Sequence, residues 1–239
     1  MKILTTAAFA AVLSIPIGSA LAEVSASGNV ALTTDYKFRG ISQSDESVAL
    51  QGGFDLEHSS GFYIGTWGSS VDFDTNGDGF DGSLELDYYG GFGSDIGDSG
   101  FSYDVGFLYY DYPGDDDTEG DYWELYASIG WNDLTVGVAY SDDYYGETDE
   151  FSYLYADYSF ALPGEVSLDL HVGFNMLEEN GGFLATDEDG YTDYSIGVTK
   201  SFMDVDFSLA YVGTDLDEED VFDTEWGDGT LIFTLAKSL

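Results

Sequence analysis

The sequence lacks cysteine altogether, so its stability must come from a large core or a continuous backbone hydrogen-bond network rather than from disulfide bonds. Beyond its N-terminal region it also lacks an apolar stretch long enough for a membrane-spanning helix, which needs about twenty residues. Basic residues are scarce: 5 Lys and Arg stand against 47 Asp and Glu, and the formal net charge is −42. This charge excludes nucleic acid as a partner, because phosphate groups would repel the protein, and it favours cations.

The N-terminal region has the three parts of a secretory signal. Lys2 supplies the positive end, an apolar run follows over residues 7–17, and Ala20-Leu21-Ala22 is a small-x-small cleavage site. The alternative is an N-terminal anchor helix, but the run is short and is interrupted by Pro16. We therefore expect residues 1–22 to be a signal peptide for the Sec pathway, cleaved near Ala22, and residues 23–239 to be the mature domain.

Glycine and aromatic residues are abundant, with 31 Gly, 19 Tyr and 17 Phe. Disordered acidic chains lack aromatic residues, so this composition indicates a folded domain. Apolar and polar residues alternate with the period of two that is typical of strands. The alternation predicts twelve strands, at residues 24–40, 48–57, 62–71, 84–93, 101–111, 122–131, 134–141, 151–160, 166–175, 191–200, 205–213 and 230–239.

Short and long connections alternate strictly between these strands. The short ones are residues 59–61, 94–100, 132–133, 161–164 and 201–204, and the longer, acidic ones are residues 41–47, 72–83, 112–121, 142–150, 176–190 and 214–229. This order, with strands of about ten residues, predicts an all-β fold: an up-and-down antiparallel transmembrane β-barrel with long acidic extracellular loops and short periplasmic turns. Alternation alone would also suit a secreted soluble β-sandwich, which stays open as an alternative.

Three stretches carry a family resemblance. Residues 35–44 read DYKFRGISQS, residues 84–92 read LELDYYGGF, and the chain ends in Ala-Lys-Ser-Leu. The pattern Tyr36-x-Phe38-Arg39-Gly40-x-Ser42 closely resembles the opening-strand motif of the TorF family of porins, also called the Gcw_chp family, and the ending is similar to that family's Ser-Lys-aromatic terminus, with Leu in the last place. The resemblance covers essentially the whole mature chain. It implies an outer-membrane barrel that conducts small solutes, with no established substrate.

Two of the few basic residues, Lys37 and Arg39, fall on the polar face of the predicted first strand. On that face they would project into the lumen and form, with nearby acidic side chains, a candidate constriction. One interpretation is structural, because an unpaired charge in a narrow lumen is costly. The other, compatible with it, is that the two cations screen permeating solutes. The acidic members of the predicted lumen site are Asp55, Glu57, Glu85, Asp87 and Asp104.

Residues 74–85 read DTNGDGFDGSLE and fit the calcium-loop pattern D-x-N-x-D-G-x5-E. In that pattern carboxylate and carbonyl oxygens converge on a hard cation, so Asp74, Asn76 and Asp78 are candidate Ca²⁺ ligands. Here the loop lies between strands rather than helices, and Asp81 replaces the usual apolar residue. A solvated acidic loop is the alternative, and we expect no other cofactor.

The sequence contains few candidate catalytic residues, since it has two histidines, no cysteine and no G-x-S-x-G motif. The one local acid–base pair is Asp169 with His171, and a histidine beside an aspartate in a polar lumen is more often a hydrogen-bonded filler. We therefore expect a protein that is not an enzyme.

The expected function is a passive outer-membrane channel for small solutes, with a cation preference set by its acidic mouth and lumen. The alternative is a non-conducting barrel whose acidic loops bind divalent cations, lipopolysaccharide or an external partner. Outer-membrane lipid and lipopolysaccharide are expected partners in either case.

Intact-mass spectrometry of the exported protein tests the predicted signal. The expected mass is that of residues 23–239, because signal peptidase cuts after a small-x-small motif. A membrane-bound product that still carries residues 1–22 would favour the anchor helix instead.

Overall fold

The computed structural model describes residues 24–73, 82–114, 120–178 and 181–239. Within these ranges twelve antiparallel strands close into a barrel, and two further strands of two residues each form a separate hairpin. The strands are β1 (Val24–Thr33), β2 (Lys37–Phe38), β3 (Ile41–Ser42), β4 (Ala49–His58), β5 (Phe62–Ser70), β6 (Leu84–Asp95), β7 (Phe101–Asp111), β8 (Tyr122–Trp131), β9 (Leu134–Ser141), β10 (Phe151–Leu162), β11 (Val166–Met176), β12 (Gly190–Phe202), β13 (Val205–Thr214) and β14 (Thr230–Ser238). A short 3-10 helix, Glu218–Val221, lies between β13 and β14.

The barrel is an up-and-down meander in which each wall strand pairs with the next along the chain. It closes where β1 pairs with β14, with Asn29 opposite Ser238 and Thr33 opposite Thr234. The predicted all-β fold and the twelve barrel strands are confirmed. The barrel has a long-loop end, at which the strands that flank the predicted long connections begin or end, and a short-turn end, where the turns and both ends of the described chain lie.

The predicted first strand, residues 24–40, is wrong beyond Thr33. At that point the backbone N–H of Phe233 donates to the Thr34 side chain, and the N–H of Thr34 donates to the carbonyl of Phe233, which ends the ladder. The chain then turns into the β2–β3 hairpin, whose turn residues Arg39 and Gly40 have φ of 48° and 83°. Two-residue hairpin turns with positive φ at both positions match the twist of the flanking strands.

Large apolar side chains cover the outside of the barrel and remain exposed. Leu50 and Ile64 are each 61% exposed and Ile129 is 56% exposed. The opposite faces of the wall strands carry polar, buried side chains, such as Glu85 on β6 and Glu124 on β8. A soluble β-sandwich would place its apolar face in the core, so the barrel is of the membrane-spanning type. No helix among the described residues has the length and apolar character needed to cross a bilayer.

Tyrosine rings lie flat over glycines on the inner wall. A Cβ atom on Gly137 would fall 2.3 Å from the hydroxyl and ring carbon Cζ of Tyr155, and one on Gly65 would fall 2.5 Å from the Tyr89 ring. Glycine is therefore needed at these positions so that the neighbouring ring can lie along the wall. The same arrangement places Tyr126 over Gly106.

Gly137→Ala should lower the free energy of unfolding by roughly 1 to 3 kcal/mol, because the added methyl group overlaps the Tyr155 ring. The measurement is urea unfolding of the folded barrel in lipid. Gly130→Ala is the matched control, since its nearest neighbour is the Ser102 hydroxyl, which can rotate away. Equal effects of the two substitutions would contradict the packing role of the tyrosine.

Candidate lumen site

Residues 34–48 are called the inserted segment from here on. Its residues 35–44 are buried or partly buried and fold inside the barrel at the long-loop end, while residues 45–48 are exposed. Tyr36 reaches Glu85 on β6, and Arg39 reaches Glu124 on β8. A Cβ atom on Gly40 would fall 2.9 Å from Asp193 Cβ on β12 and 2.4 Å from Thr214 on β13. The segment therefore contacts inward-facing residues on widely separated strands and crosses the mouth of the lumen.

Arg39 is the centre of this arrangement. Its guanidinium donates two parallel hydrogen bonds to the Glu124 carboxylate, of 2.7 and 2.9 Å, and a third of 3.1 Å to the Tyr144 hydroxyl. The two charged side chains are only 7% and 3% exposed. Burial alone would lower the pKa of Arg39, but the Glu124 carboxylate raises it well above its ordinary value. The fork geometry suits arginine and not lysine.

Aromatic rings surround the same guanidinium. Its central carbon lies 4.4 Å from the ring centre of Tyr153 and 4.7 Å from those of Phe38 and Phe151. Cation–π attraction is stronger at desolvated sites such as this one. Arg39 is thus held both by its ion pair with Glu124 and by the packing of its planar guanidinium against aromatic rings.

Lys37 does not accompany Arg39, so the prediction that the two share one face is wrong. The Lys37 ammonium donates to the carbonyls of Trp226 and Asp228, at 2.9 and 2.6 Å, and so ties the segment to the last long loop. The alternation of a single strand does not apply, because the hairpin turn lies directly after Lys37 and Phe38.

Further hydrogen bonds fix the segment to itself and to two loops. The Asp35 carboxylate accepts from the hydroxyls of Ser42 and Ser44, at 2.7 and 3.1 Å. The Trp226 indole donates to Asp45 at 2.9 Å, and the backbone N–H of Asp72 donates to the Gln43 carbonyl. Buried aromatic and aliphatic side chains pack around these bonds in two clusters at the long-loop end.

The predicted acidic residues lie on strands whose inward faces line the lumen, at different depths. Glu85 and Asp87 are buried near the inserted segment, where Tyr36 donates to Glu85 Oε1 at 3.0 Å. Neither Glu85 Oε2 nor Asp87 Oδ1 has a hydrogen-bond partner among the described residues. Towards the short-turn end, Asp104 accepts from Tyr63 at 2.7 Å and Asp55 from Tyr89 at 2.5 Å. Glu57 lies beside them in β4 and is opposite Tyr63 in the ladder.

The structure also brings together residues that sequence reasoning did not select. Glu124 was not predicted, although the alternation of β8 places it on the inward face. His171 lies between two carboxylates, with Nδ1 2.6 Å from Asp157 and Nε2 2.8 Å from Asp193. Strand alternation marks these aspartates as inward-facing, but the pairing depends on the register of β10, β11 and β12.

Asp169 and His171, which the sequence offered as a candidate acid–base pair, are not hydrogen-bonded to each other; His171 bonds to Asp157 and Asp193. Asp169 instead accepts hydrogen bonds from Ser159 and Ser167, at 2.6 and 2.8 Å. The predicted Ca²⁺ ligands Asp74, Asn76 and Asp78 lie outside the described residues. Within the described ranges, no group of three or more histidine or acidic side chains is arranged to hold a metal ion.

A closed antiparallel barrel with an apolar exterior and a charged interior defines the class of porin-like membrane barrels. The chain belongs to the Gcw_chp family, because the family model, described as a bacterial protein of unknown function, matches residues 18–239. This confirms the resemblance seen in the sequence motifs. None of the curated proteins matches the chain.

Solved structures show the same fold at very low sequence identity. The KdgM porin matches with a TM-score of 0.55 and 7% identity, over 89% of this chain and 97% of KdgM. The NanC porin matches with a TM-score of 0.56 and 9% identity, over 87% of this chain and 97% of NanC. KdgM in complex with disordered oligogalacturonate matches with a TM-score of 0.55 and 6% identity, over 89% of this chain and 97% of that one.

Tyr36→Phe should destabilise the barrel by about 1 to 3 kcal/mol, because it removes a hydrogen bond from the buried Glu85 carboxylate, which already has one oxygen without a partner. Urea unfolding in lipid measures the effect. Tyr109→Phe, which removes an exposed hydrogen bond to Asp121, should change little. A larger loss for Tyr109→Phe than for Tyr36→Phe would contradict this ranking.

Proposed function

We propose that this protein is an outer-membrane channel through which small solutes diffuse passively. The observation that carries the proposal is the closed twelve-stranded barrel, apolar outside and charged inside, which shares its fold with the KdgM and NanC porins. In this proposal residues 1–22 direct export through the Sec pathway and are removed. The long-loop end then faces the cell exterior and the short-turn end faces the periplasm.

The proposed channel is not an enzyme. In support of this, Asp169 is bonded to serine hydroxyls, and both ring nitrogens of His171 are bonded to carboxylates. A general base needs a free lone pair within reach of a substrate proton, and a ring held on both sides by carboxylates does not offer one.

A cation preference is the finer part of the proposal. Arg39 is paired with Glu124, and His171 lies between Asp157 and Asp193, so each of these two basic side chains is matched by acids. Other inward carboxylates, such as Asp55 and Asp104, are bonded to tyrosine hydroxyls rather than to bases. The lumen is therefore negative, and an anionic saccharide such as the oligogalacturonate seen with KdgM would be repelled here.

The acidic long loops suggest partners outside the membrane. We propose that carboxylates such as Glu218 and Glu219 share divalent cations with lipopolysaccharide phosphates. Ca²⁺ binding by Asp74, Asn76 and Asp78 belongs to the same proposal and is supported by their spacing in the sequence alone. No cofactor is required for passive diffusion.

A second function is favoured by one observation, the inserted segment that fills the mouth of the barrel with buried side chains. A barrel filled in this way could be non-conducting and act through its loops. The two functions differ in whether ions cross a membrane that contains the protein.

Planar-bilayer recording in a KCl gradient tests the channel. The folded protein should conduct. Its reversal potential should be shifted from zero towards the equilibrium potential of K⁺, because the lumen concentrates cations. Asp55→Asn with Asp104→Asn should move the reversal potential towards zero while keeping the acceptors for Tyr89 and Tyr63. Absence of conductance would favour the non-conducting barrel, and a preference for Cl⁻ would contradict the charge argument.

A further inference from the structure

The two halves of the lumen differ in how tightly they are filled. Inward residues at the long-loop end are almost completely buried, with Glu85 1%, Glu124 2% and Ser141 0% exposed. Most inward residues nearer the short-turn end, such as Asp55 and Tyr63, are only partly buried, although Asp104 is 7% exposed. The narrowest part of the lumen is therefore at the long-loop end, where the inserted segment lies.

The inserted segment is not part of the barrel wall. β1 pairs with β4 on one side and with β14 on the other, so the twelve-stranded ring closes without residues 34–48. The β2–β3 hairpin forms a sheet of its own, and the backbone N–H of Ser42 donates to the carbonyl of Trp226, which lies in a loop and not in a wall strand. The segment can consequently move relative to the wall without breaking a ladder of the barrel.

One ion pair joins the tip of the hairpin to the opposite wall. Arg39 is at the hairpin turn, and its bidentate partner Glu124 is on β8, which is far around the ring from β1 and β4. Both groups are desolvated, so removal of either charge leaves the other buried without its counter-ion. Such a change strongly favours any arrangement in which the segment withdraws and the remaining charge is hydrated.

We infer that the inserted segment, held in place by the Arg39–Glu124 ion pair, sets the size limit of the channel. Arg39 is a positioning residue in this account: it is covered by aromatic rings and paired with Glu124, so it acts through the segment and does not touch the solute. The inference rests on the proposed channel function. It predicts that loss of the ion pair widens the passage while the barrel stays folded.

Liposome swelling with neutral sugars of increasing size measures this limit without interference from charge. Arg39→Ala and Glu124→Gln should each raise the largest permeant size and increase the swelling rate several-fold for sugars that the unaltered protein admits poorly. Arg39→Lys should give a smaller increase, because lysine keeps the charge but cannot form the two parallel bonds. Heat-dependent gel mobility checks that each variant is a folded barrel.

Lys200→Gln is the matched control. It also removes one positive charge, but Lys200 lies at the short-turn end of β12 and donates to the carbonyl of Gly164. The size limit of this variant should equal that of the unaltered chain. If it rises as much as in Arg39→Ala, the effect is one of overall charge and the inference is wrong.

A reversible crosslink separates movement of the segment from damage to the wall. Ser44 in the segment and Asp72 beyond β5 form an isolated parallel β-bridge. Paired strands run about 5 Å apart, a separation that a disulfide can span, and the chain has no cysteine of its own. Ser44→Cys with Asp72→Cys, added to Arg39→Ala, should give a small size limit when oxidised. Addition of a reductant should widen the passage of the same molecules.

The outcomes are distinct. If the unaltered protein conducts, and the folded Arg39→Ala and Glu124→Gln variants keep its size limit, the channel stands and the inference is overturned. The inference is also overturned if reduction of the crosslink changes nothing. If no form conducts, including the reduced crosslink variant, the proposed channel itself fails, and the inference fails with it.

Discussion

The outer face of a barrel wall contacts lipid, so polar side chains are stable only on its inner face. Most of this structure follows from that constraint. The strands direct apolar residues outward, and charges in the middle of the strands, such as Asp87 and Glu124, lie in the lumen. The chain is very acidic, so the lumen receives many carboxylates and few bases. Their partners are mainly tyrosine hydroxyls, as in the pairs Tyr63–Asp104 and Tyr89–Asp55, because a hydroxyl can donate without adding charge.

Tyrosines can serve in this way because glycines on neighbouring strands leave room for their rings. Tyr155 lies over Gly137 and Tyr126 over Gly106, so the rings follow the wall instead of projecting into the lumen. This packing accounts for part of the abundance of both residue types. At the long-loop end the pattern changes, since the inserted segment fills the space and Arg39 neutralises Glu124 directly.

Strand alternation predicted the wall well, because which way a strand residue points is a local property. It identified the strands that carry Asp55, Glu85, Asp87 and Asp104 and the order of turns and loops. It could not predict where the first strand ends, since that depends on a hydrogen bond between Thr34 and Phe233, at the other end of the chain. The Arg39–Glu124 pair was missed for the same reason: closure of the barrel brings the two residues together across 85 positions of sequence.

The central claim is that residues 35–44 of the inserted segment are held inside the mouth of the barrel. Labelling of a single introduced cysteine with a water-soluble maleimide tests it most directly. Ile41 in the segment is 6% exposed and Val48 at its end is 62% exposed. In the folded barrel Ile41→Cys should react far more slowly than Val48→Cys, and it should become reactive when Arg39→Ala is added. Equal reaction rates of the two cysteines in the otherwise unaltered chain would contradict the account.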